Sequence, residues 1–264
     1  MPLSSNLLKS RVLVTGASQG IGFAAAKAFL EEGARVVINS SNKQRLEKAK
    51  NQLSQLGEVH AVVADLREKT EIDRLVSETK RLLGGIETLV YVTGSPKPGT
   101  FMEKEYDDWL DAAKLLTISP AYLARRVAEL MLERSVKGRI VLLASFAIKE
   151  PIPNIALSNV CRIAIAGIVR TLARELGPKG IRVNAILPGY IKTSRIDQVA
   201  QDLARRWGVT VDEAFSKIAQ EIPLGYIAPP EELARSIIFL GSDLSTYVNG
   251  AVLPVDGGLL RSVF

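Results

Sequence analysis

A chain of 264 residues with 47% hydrophobic and 23% charged positions can bury a sizeable core, and no shift in composition marks a second domain, so one domain spanning 1–264 is expected. The formal net charge is +6, yet the cations are scattered, the densest pairs being Arg125-Arg126 and Arg205-Arg206, which argues against nucleic acid as a partner. A single cysteine, Cys161, excludes an intramolecular disulfide, and the lone His60 without a Cys/His cluster excludes a metal site of usual spacing. No uninterrupted apolar run reaches the ~18 residues of a spanning helix, and the polar start from Met1 to Ser10 has no signal-peptide core, so a cytoplasmic protein without a membrane partner is expected.

In chain order, apolar runs of strand length fall at Arg11 to Val14, Arg35 to Asn39, Val59 to Ala64, Thr88 to Thr93, Arg139 to Ala144, Arg182 to Leu187 and Ala251 to Val255. Between them, Ile21 to Glu32, Lys43 to Leu56, Glu68 to Leu83, Trp109 to Arg134, Ile155 to Leu176 and Pro230 to Leu240 carry apolar residues at helical spacing. Strands alternating with helices predict a parallel sheet, and near-continuous apolarity predicts cover on both of its faces. Right-handed crossovers then give a doubly wound α/β fold. The charged, amphipathic stretch Asp197 to Glu221 is too long for a plain connection and reads as a helical lid over the strand ends, about 194–225 with its flanks.

In such a sheet ligands sit beyond the carboxyl ends of the strands, so the residues after each strand matter most. After the first strand comes Thr15-Gly16-Ala17-Ser18-Gln19-Gly20-Ile21-Gly22, which turns from strand to helix within eight residues that include three glycines. Backbone amides and a helix N-terminus converge there, an arrangement that suits a phosphate.

With this loop, Asp65 after the third strand, Gly94 after the fourth and Ser145 after the fifth, the chain resembles the short-chain dehydrogenase/reductase family over nearly its whole length. Ile181-Arg182-Val183-Asn184-Ala185-Ile186 running into Pro188-Gly189 with Thr193 beyond, Ile222-Pro223-Leu224-Gly225, and Val255-Asp256-Gly257-Gly258 extend the likeness, which is strongest to β-ketoacyl-ACP reductase-like members. The resemblance implies a Rossmann-type sheet of order 3-2-1-4-5-6-7. It also implies cofactor roles: Gly16, Ser18, Gln19, Gly20, Ile21 and Gly22 around the pyrophosphate, and Asp65 with Leu66 at the adenine. Gly94 is implied at the ribose, and Pro188, Gly189, Ile191 and Thr193 at the nicotinamide. Asp65 has a second reading as a helix N-cap.

The end of the second strand separates NAD from NADP. No acidic residue stands near Ser40, and Ser40, Ser41, Asn42 and Lys43 could accept a 2′-phosphate, a lean to NADP offset by Gln19, where NADP users often carry Arg or Lys. Asn42 also reads as the cap of the next helix.

The family's chemistry uses a Ser with a Y-x-x-x-K pair, and here the chain departs. Ser145 fits the serine place, but thirteen residues on stands Ser158 where the tyrosine belongs, and four further stands Arg162 where the lysine belongs. A fourth active-site position, usually Asn, falls near Leu116, and the N-N-A-G signature is reduced to Tyr91-Val92-Thr93-Gly94. Arg162 can hold ribose hydroxyls but cannot relay a proton near neutral pH, and Ser158 is a far weaker acid than a phenol. Tyr190 after Pro188-Gly189, Lys149 four residues after Ser145, and Tyr91 at a strand end are candidates to step in, but packing or a solvated surface role is the preferred reading for each.

The expectation is therefore an NADP- or NAD-dependent oxidoreductase moving a hydride between the nicotinamide and a carbonyl/alcohol pair, with Ser145, Ser158 and Arg162 as its catalytic set. The alternatives are a dinucleotide-binding protein without turnover, serving as sensor or scaffold, and a non-redox lyase or isomerase on the same scaffold. The lid residues Ile196, Val199, Leu203 and Trp207 suggest a partly apolar small-molecule substrate, and the resemblance implies a homodimer or homotetramer through the fourth and fifth helices and the chain end.

Overall fold

Apolar residues on successive positions of a strand can all be buried only if both faces of the sheet are covered, and the computed structural model of residues 5–263 meets that condition. The start of the polar leader (1–4) and the last residue of the chain end (264) lie outside the described residues. Strands β1 (Arg11–Val14), β2 (Arg35–Ser40), β3 (Val59–Val63), β4 (Thr88–Tyr91), β5 (Arg139–Leu143), β6 (Arg182–Pro188) and β7 (Val252–Val255) form one sheet. Its order is β3-β2-β1-β4-β5-β6-β7, and every pairing is parallel.

Side chains alternate between the faces. Leu13, Leu89, Tyr91 and Ile140 join the core beneath α3 (Lys69–Leu83), α5 (Ser119–Glu133) and α7 (Ala164–Leu176). Val12, Val14, Val90 and Val141 join the core beneath α1 (Gly20–Glu31), α2 (Lys43–Leu53) and α10 (Pro230–Leu240).

Strand β4 ends before the expected Thr93 because a side chain takes over from the ladder. The buried Thr15 hydroxyl donates to the Val92 carbonyl at 2.7 Å and accepts from the Val92 amide at 2.9 Å. This clamp fixes the carboxyl ends of β1 and β4 against each other, at the centre of the sheet, where the chain order reverses.

Helical segments expected to be continuous are interrupted, each for a local reason. The long fourth segment starts at α4 (Tyr106–Ala113), passes through a wide π turn over Lys114–Ile118, and resumes as α5. Pro120 has no amide to give to Leu116, and its ring would press on that carbonyl, so the backbone widens there. The next segment divides into α6 (Ala156–Cys161) and α7. At the break the Ile165 and Ala166 amides donate to the Arg162 and Ile163 carbonyls, three residues back instead of four.

The lid is two helices, α8 (Ser194–Trp207) and α9 (Val211–Glu221). Gly208 ends the first in the left-handed region at φ 64°, and Thr210 with Glu213 forms a reciprocal capping box at the start of the second. Ile196, Ala200, Ala204, Ala214 and Ile218 give the pair a small core of its own.

Taken over its whole length, Ala156–Lys179 averages a hydropathy of 1.4 in its most apolar window and is by length and composition long enough to cross a bilayer, although no uninterrupted apolar run is. Its inner face, Ile165, Val169 and Leu176, is packed into the sheet core.

Candidate active site

The carboxyl ends of the strands and the lid enclose a cavity of about 1160 Å³. Its floor is the glycine loop, and the three glycines are there for geometric reasons. Gly16 has φ +57°, and a Cβ on it would lie 2.6 Å from the Val92 carbonyl oxygen. Gly20 also has φ +57°, with Thr193 of the lid root 3.2 Å from the place of its Cβ. Gly22 lies behind the floor: its Cβ would come within 2.4 Å of the Gly16 carbonyl, so its absence lets α1 start directly against the loop. A loop that allows no side chain at these positions, leading into a helix N-terminus with no acidic residue in its first turn, fits a pyrophosphate.

Most of the residues expected from the sequence line this cavity, Gly22 and Lys43 being exceptions: Ser18, Gln19 and Ile21 at the loop, Ser40, Ser41, Asn42, Asp65 and Leu66 at one end, and Gly94, Ser145, Ser158 and Arg162 at the other. Pro188, Gly189, Ile191 and Thr193 close it from the β6 side. The Gln19 amide donates to the Ser194 hydroxyl at 3.3 Å, tying the phosphate loop to the first residue of the lid.

At the β2–β3 end the side chains are arranged differently from the simplest expectation. Asn42 caps α2, its oxygen accepting from the Arg45 amide at 2.9 Å, and Ser40 accepts from the Asn42 amide at 3.2 Å. Lys43 does not line the cavity, whereas Arg45 and Arg67 do. The N-cap reading of Asp65 does not hold, because α3 begins at Lys69 with Glu68 in the capping position. The Asp65 carboxylate instead accepts from the Arg67 amide at 3.0 Å and its guanidinium at 2.6 Å, and hydrogen bonding to that guanidinium holds it below the usual carboxylate range. Arg67 also reaches Asp111 at 2.9 Å, a bridge that joins the ends of β3 and α4.

At the other end Ser145, Ser158 and Arg162 come together. Ser145 stands two residues beyond β5 and accepts from the Ala147 amide at 3.2 Å, which leaves its hydroxyl proton free to donate. Ser158 is buried on α6, and its oxygen accepts from Arg162 Nε at 3.1 Å. Arg162 Nη2 donates to the Gly94 carbonyl at 3.1 Å, so the guanidinium links α6 to the end of β4. Burial pulls the Arg162 guanidinium down to about 10, which still leaves it cationic at neutral pH. Leu116, in the place of a polar fourth residue, is buried against Ala112, Leu157 and Cys161. An apolar plug therefore backs the Ser158–Arg162 pair where a proton path would need polar groups.

The three other candidates separate cleanly. Tyr91 is wholly buried, gives its hydroxyl to the Leu115 carbonyl at 2.7 Å, and is pushed by burial up to about 12, so it is a core residue that braces the π turn. Replacing it with phenylalanine should lower stability by about 1–2 kcal/mol in urea denaturation without changing the affinity of the cavity for a dinucleotide; an affinity loss with stability intact would put its hydroxyl in ligand binding. Lys149 is not among the lining residues. Tyr190 is: half-buried, edge-on to Phe146 at 5.3 Å between ring centres, with burial raising its phenol. His60 faces Glu58 at 3.1 Å, away from the cavity.

Sequence reasoning missed Arg45, Arg67 and Arg195, all of which line the cavity. The signal for Arg45 was its place three residues after a capping asparagine, and for Arg195 its place two residues after Thr193 at the start of the lid.

A family model described as enoyl-(acyl carrier protein) reductase matches residues 16–260. Glucose 1-dehydrogenase of Gluconobacter oxydans is 32% identical over 260 residues, covering 98% of this chain and 94% of that protein. Among solved structures, L-sorbose reductase from Gluconobacter frateurii, complexed with NADPH and L-sorbose, superposes with a TM-score of 0.91 at 32% identity, covering 97% of this chain and 98% of that one. YwfH, an NADPH-dependent reductase involved in bacilysin biosynthesis, does so with a TM-score of 0.90 at 26% identity, covering 97% and 100%. With matches that run the length of the chain, a glycine loop shaped for a phosphate, and Ser145 facing it across one cavity, this protein belongs to the short-chain dehydrogenase/reductase family, a family of oxidoreductases.

Proposed function

We propose that the chain is an NADPH-dependent reductase acting on a small, partly apolar carbonyl compound, or on the matching alcohol in reverse, through a site that keeps Ser145 and replaces the tyrosine and lysine with Ser158 and Arg162. The observation that carries this reading is that Ser145, Ser158 and Arg162 open into the same cavity as a glycine loop that admits no Cβ at Gly16 or Gly22. Bound there, the dinucleotide would supply or accept the hydride. The preference for NADPH rests on Arg45 and Arg67 beside Ser40 and Ser41, and on the lack of an acidic residue at the end of β2, where the ribose diol of NAD would want one.

Each remaining task falls to a named group. The Ser145 hydroxyl donates to the substrate oxygen and fixes its direction. Arg162 gives Nη2 to the Gly94 carbonyl, keeping the β4 end open for a ribose, and polarises Ser158 through Nε. The hydroxyl proton of Ser158 stays free for a second bond to the same oxygen or to a water. Negative charge that develops on the substrate oxygen is thus met by hydroxyls with a cation behind them, and water in the cavity provides the proton. Ile196, Val199, Leu203 and Trp207 line the lid side and give the site its apolar portion.

Ser145→Ala tests this. NADPH oxidation is followed over a panel of ketones, sugars and acyl thioesters, and the variant is expected to lose about 100- to 1000-fold in kcat with its NADPH affinity kept. A second reading, dinucleotide binding without turnover, is favoured by the apolar plug of Leu116 and Cys161. It gains if NADPH binds tightly and no member of the panel oxidises it.

The proposal includes a single domain, a cytoplasmic setting and self-association. Leu110, Ile118, Val160 and Ile163, on α4, the π turn and the α6–α7 stretch, are 42%, 56%, 48% and 56% exposed, an apolar strip that suits a two-fold contact with a second copy.

A further inference from the structure

A guanidinium out of water needs a counter-charge, and the pattern of ion pairs shows where one is missing. Arg11, Arg35, Arg126, Arg139 and Arg182 are buried or half-buried, and each has a carboxylate within 4.0 Å. Among the described residues the other buried or half-buried arginines are Arg162 and Arg195, and neither has one. Both line the same cavity.

Arg162 is only 7% exposed, and its hydrogen bonds, to Ser158 and Gly94, go to neutral oxygens through Nε and Nη2. Among the described residues its Nη1 has no hydrogen-bond partner. Arg195, on the first turn of α8, has a single side-chain contact, to the neutral Gln198 amide at 3.5 Å. The two cations are close enough for Arg195 to disfavour the charged form of Arg162.

The cavity's acidic groups do not cancel them. Asp65 and Asp111 are engaged by Arg67; Asp202 pairs with Arg205 and favours the Arg195 cation only from a distance, less than burial disfavours it. Glu221, at the end of α9, raises the Tyr190 phenol and is not among the charges that act on Arg162 or Arg195. The ribose that Arg162 would hold is neutral and leaves its charge unmet, while the pyrophosphate has the loop amides and the α1 terminus.

We propose that the substrate carries an oxyanion, a carboxylate or a phosphate, bound between Arg195 of the lid and the Arg162 side of the cavity, with its apolar part against Ile196, Val199 and Leu203. A forked guanidinium matches either oxyanion through paired N–H donors, and an anion placed there relieves the repulsion between the two cations. Because Arg195 rides on the lid helix, binding the anion draws α8 toward the β5–α6 wall. This rests on the dinucleotide-dependent reading above.

The test uses the full chain saturated with NADP+, with octanoate and octyl phosphate as anionic probes and octanamide and octanol as their neutral counterparts, titrated calorimetrically at low salt. At least one anion is expected to bind ten-fold or more tighter than its neutral counterpart, and the arm that does so identifies the oxyanion. Arg195→Ala should remove that difference while NADPH affinity stays within about two-fold. Arg195→Lys, which keeps the charge without the fork, should restore part of it. Equal affinity for charged and neutral probes, or no binding of any, overturns the proposal. So does an Arg195→Ala variant that loses NADPH affinity and leaves the octanoate and octyl phosphate affinities unchanged, since Arg195 would then serve the pyrophosphate. Failure of NADPH itself to bind, read separately by tryptophan fluorescence, would instead remove the reading on which the proposal rests.

Discussion

Gly16→Ala should both destabilise the protein and abolish tight NADPH binding, whereas Gly94→Ala should leave the fold intact and weaken binding alone. At Gly16 the backbone is left-handed, φ +57°, and the added methyl would lie 2.6 Å from the Val92 carbonyl oxygen and 2.9 Å from its carbon. Val92 cannot retreat, because Thr15 grips both its amide and its carbonyl. A left-handed alanine costs ~1–2 kcal/mol and a backbone overlap a further ~1–3, so a loss of about 3 kcal/mol is expected in urea denaturation. At Gly94 an added methyl meets nothing within 4 Å, so apo stability should stay within about 0.5 kcal/mol. The open space beside Gly94 belongs to the cavity, and a methyl there occupies the path proposed for the ribose; NADPH affinity should fall at least ten-fold by fluorescence titration. An unchanged affinity in Gly94→Ala would move the ribose elsewhere.

That contrast bears on what a sequence can reveal. The seven strands were legible because burial on both faces leaves a nearly unbroken apolar run, and Arg11–Val14 and Pro230–Leu240 match their expected bounds to the residue. Glycines at 16, 20 and 22 announce a tight turn, but that Gly22 serves the packing of α1 on the loop while Gly16 avoids β4 depends on which backbone each one faces. Interruptions were legible in part: Gly208 and the Thr210–Glu213 capping box were visible stop and start signals within the lid. The break after Cys161 had no such marker, and neither did the contact from Arg162 beside it to Gly94, between residues 68 positions apart. Lys43 drew attention over Arg45 because it directly follows the polar run Ser40 to Asn42. With Asn42 as the cap, however, it is Arg45 that lines the cavity and Lys43 that faces solvent.

Nor could spacing alone decide whether Ser158 and Arg162 form a working pair or relics, and Arg162→Met separates these. Methionine keeps most of the length of the side chain and removes the charge and both hydrogen bonds. The charge is a burden on the empty protein: the side chain is 7% exposed, lacks a carboxylate partner, and is held down to about 10 by burial first and by Arg195 among the lesser causes. Relief of an uncompensated buried cation is worth ~1–4 kcal/mol by the measure of buried ionic groups exchanged for apolar ones. Against this stand the bonds to Ser158 and Gly94, each a net ~1.5–3 kcal/mol because the donor is charged, a loss moderated because both of those residues face the cavity, where water can replace the guanidinium. The two sides nearly cancel, so the variant is expected within about 1 kcal/mol of the parent's stability, with kcat/KM for NADPH oxidation reduced 100-fold or more. Paired urea denaturation and turnover assays read both halves. A variant destabilised by more than about 2 kcal/mol would make Arg162 a strut between α6 and β4, since the lost bonds would then outweigh the relieved charge. A variant that keeps its stability and full turnover would leave Arg162, and with it the positive end of the cavity, without a part in the reaction.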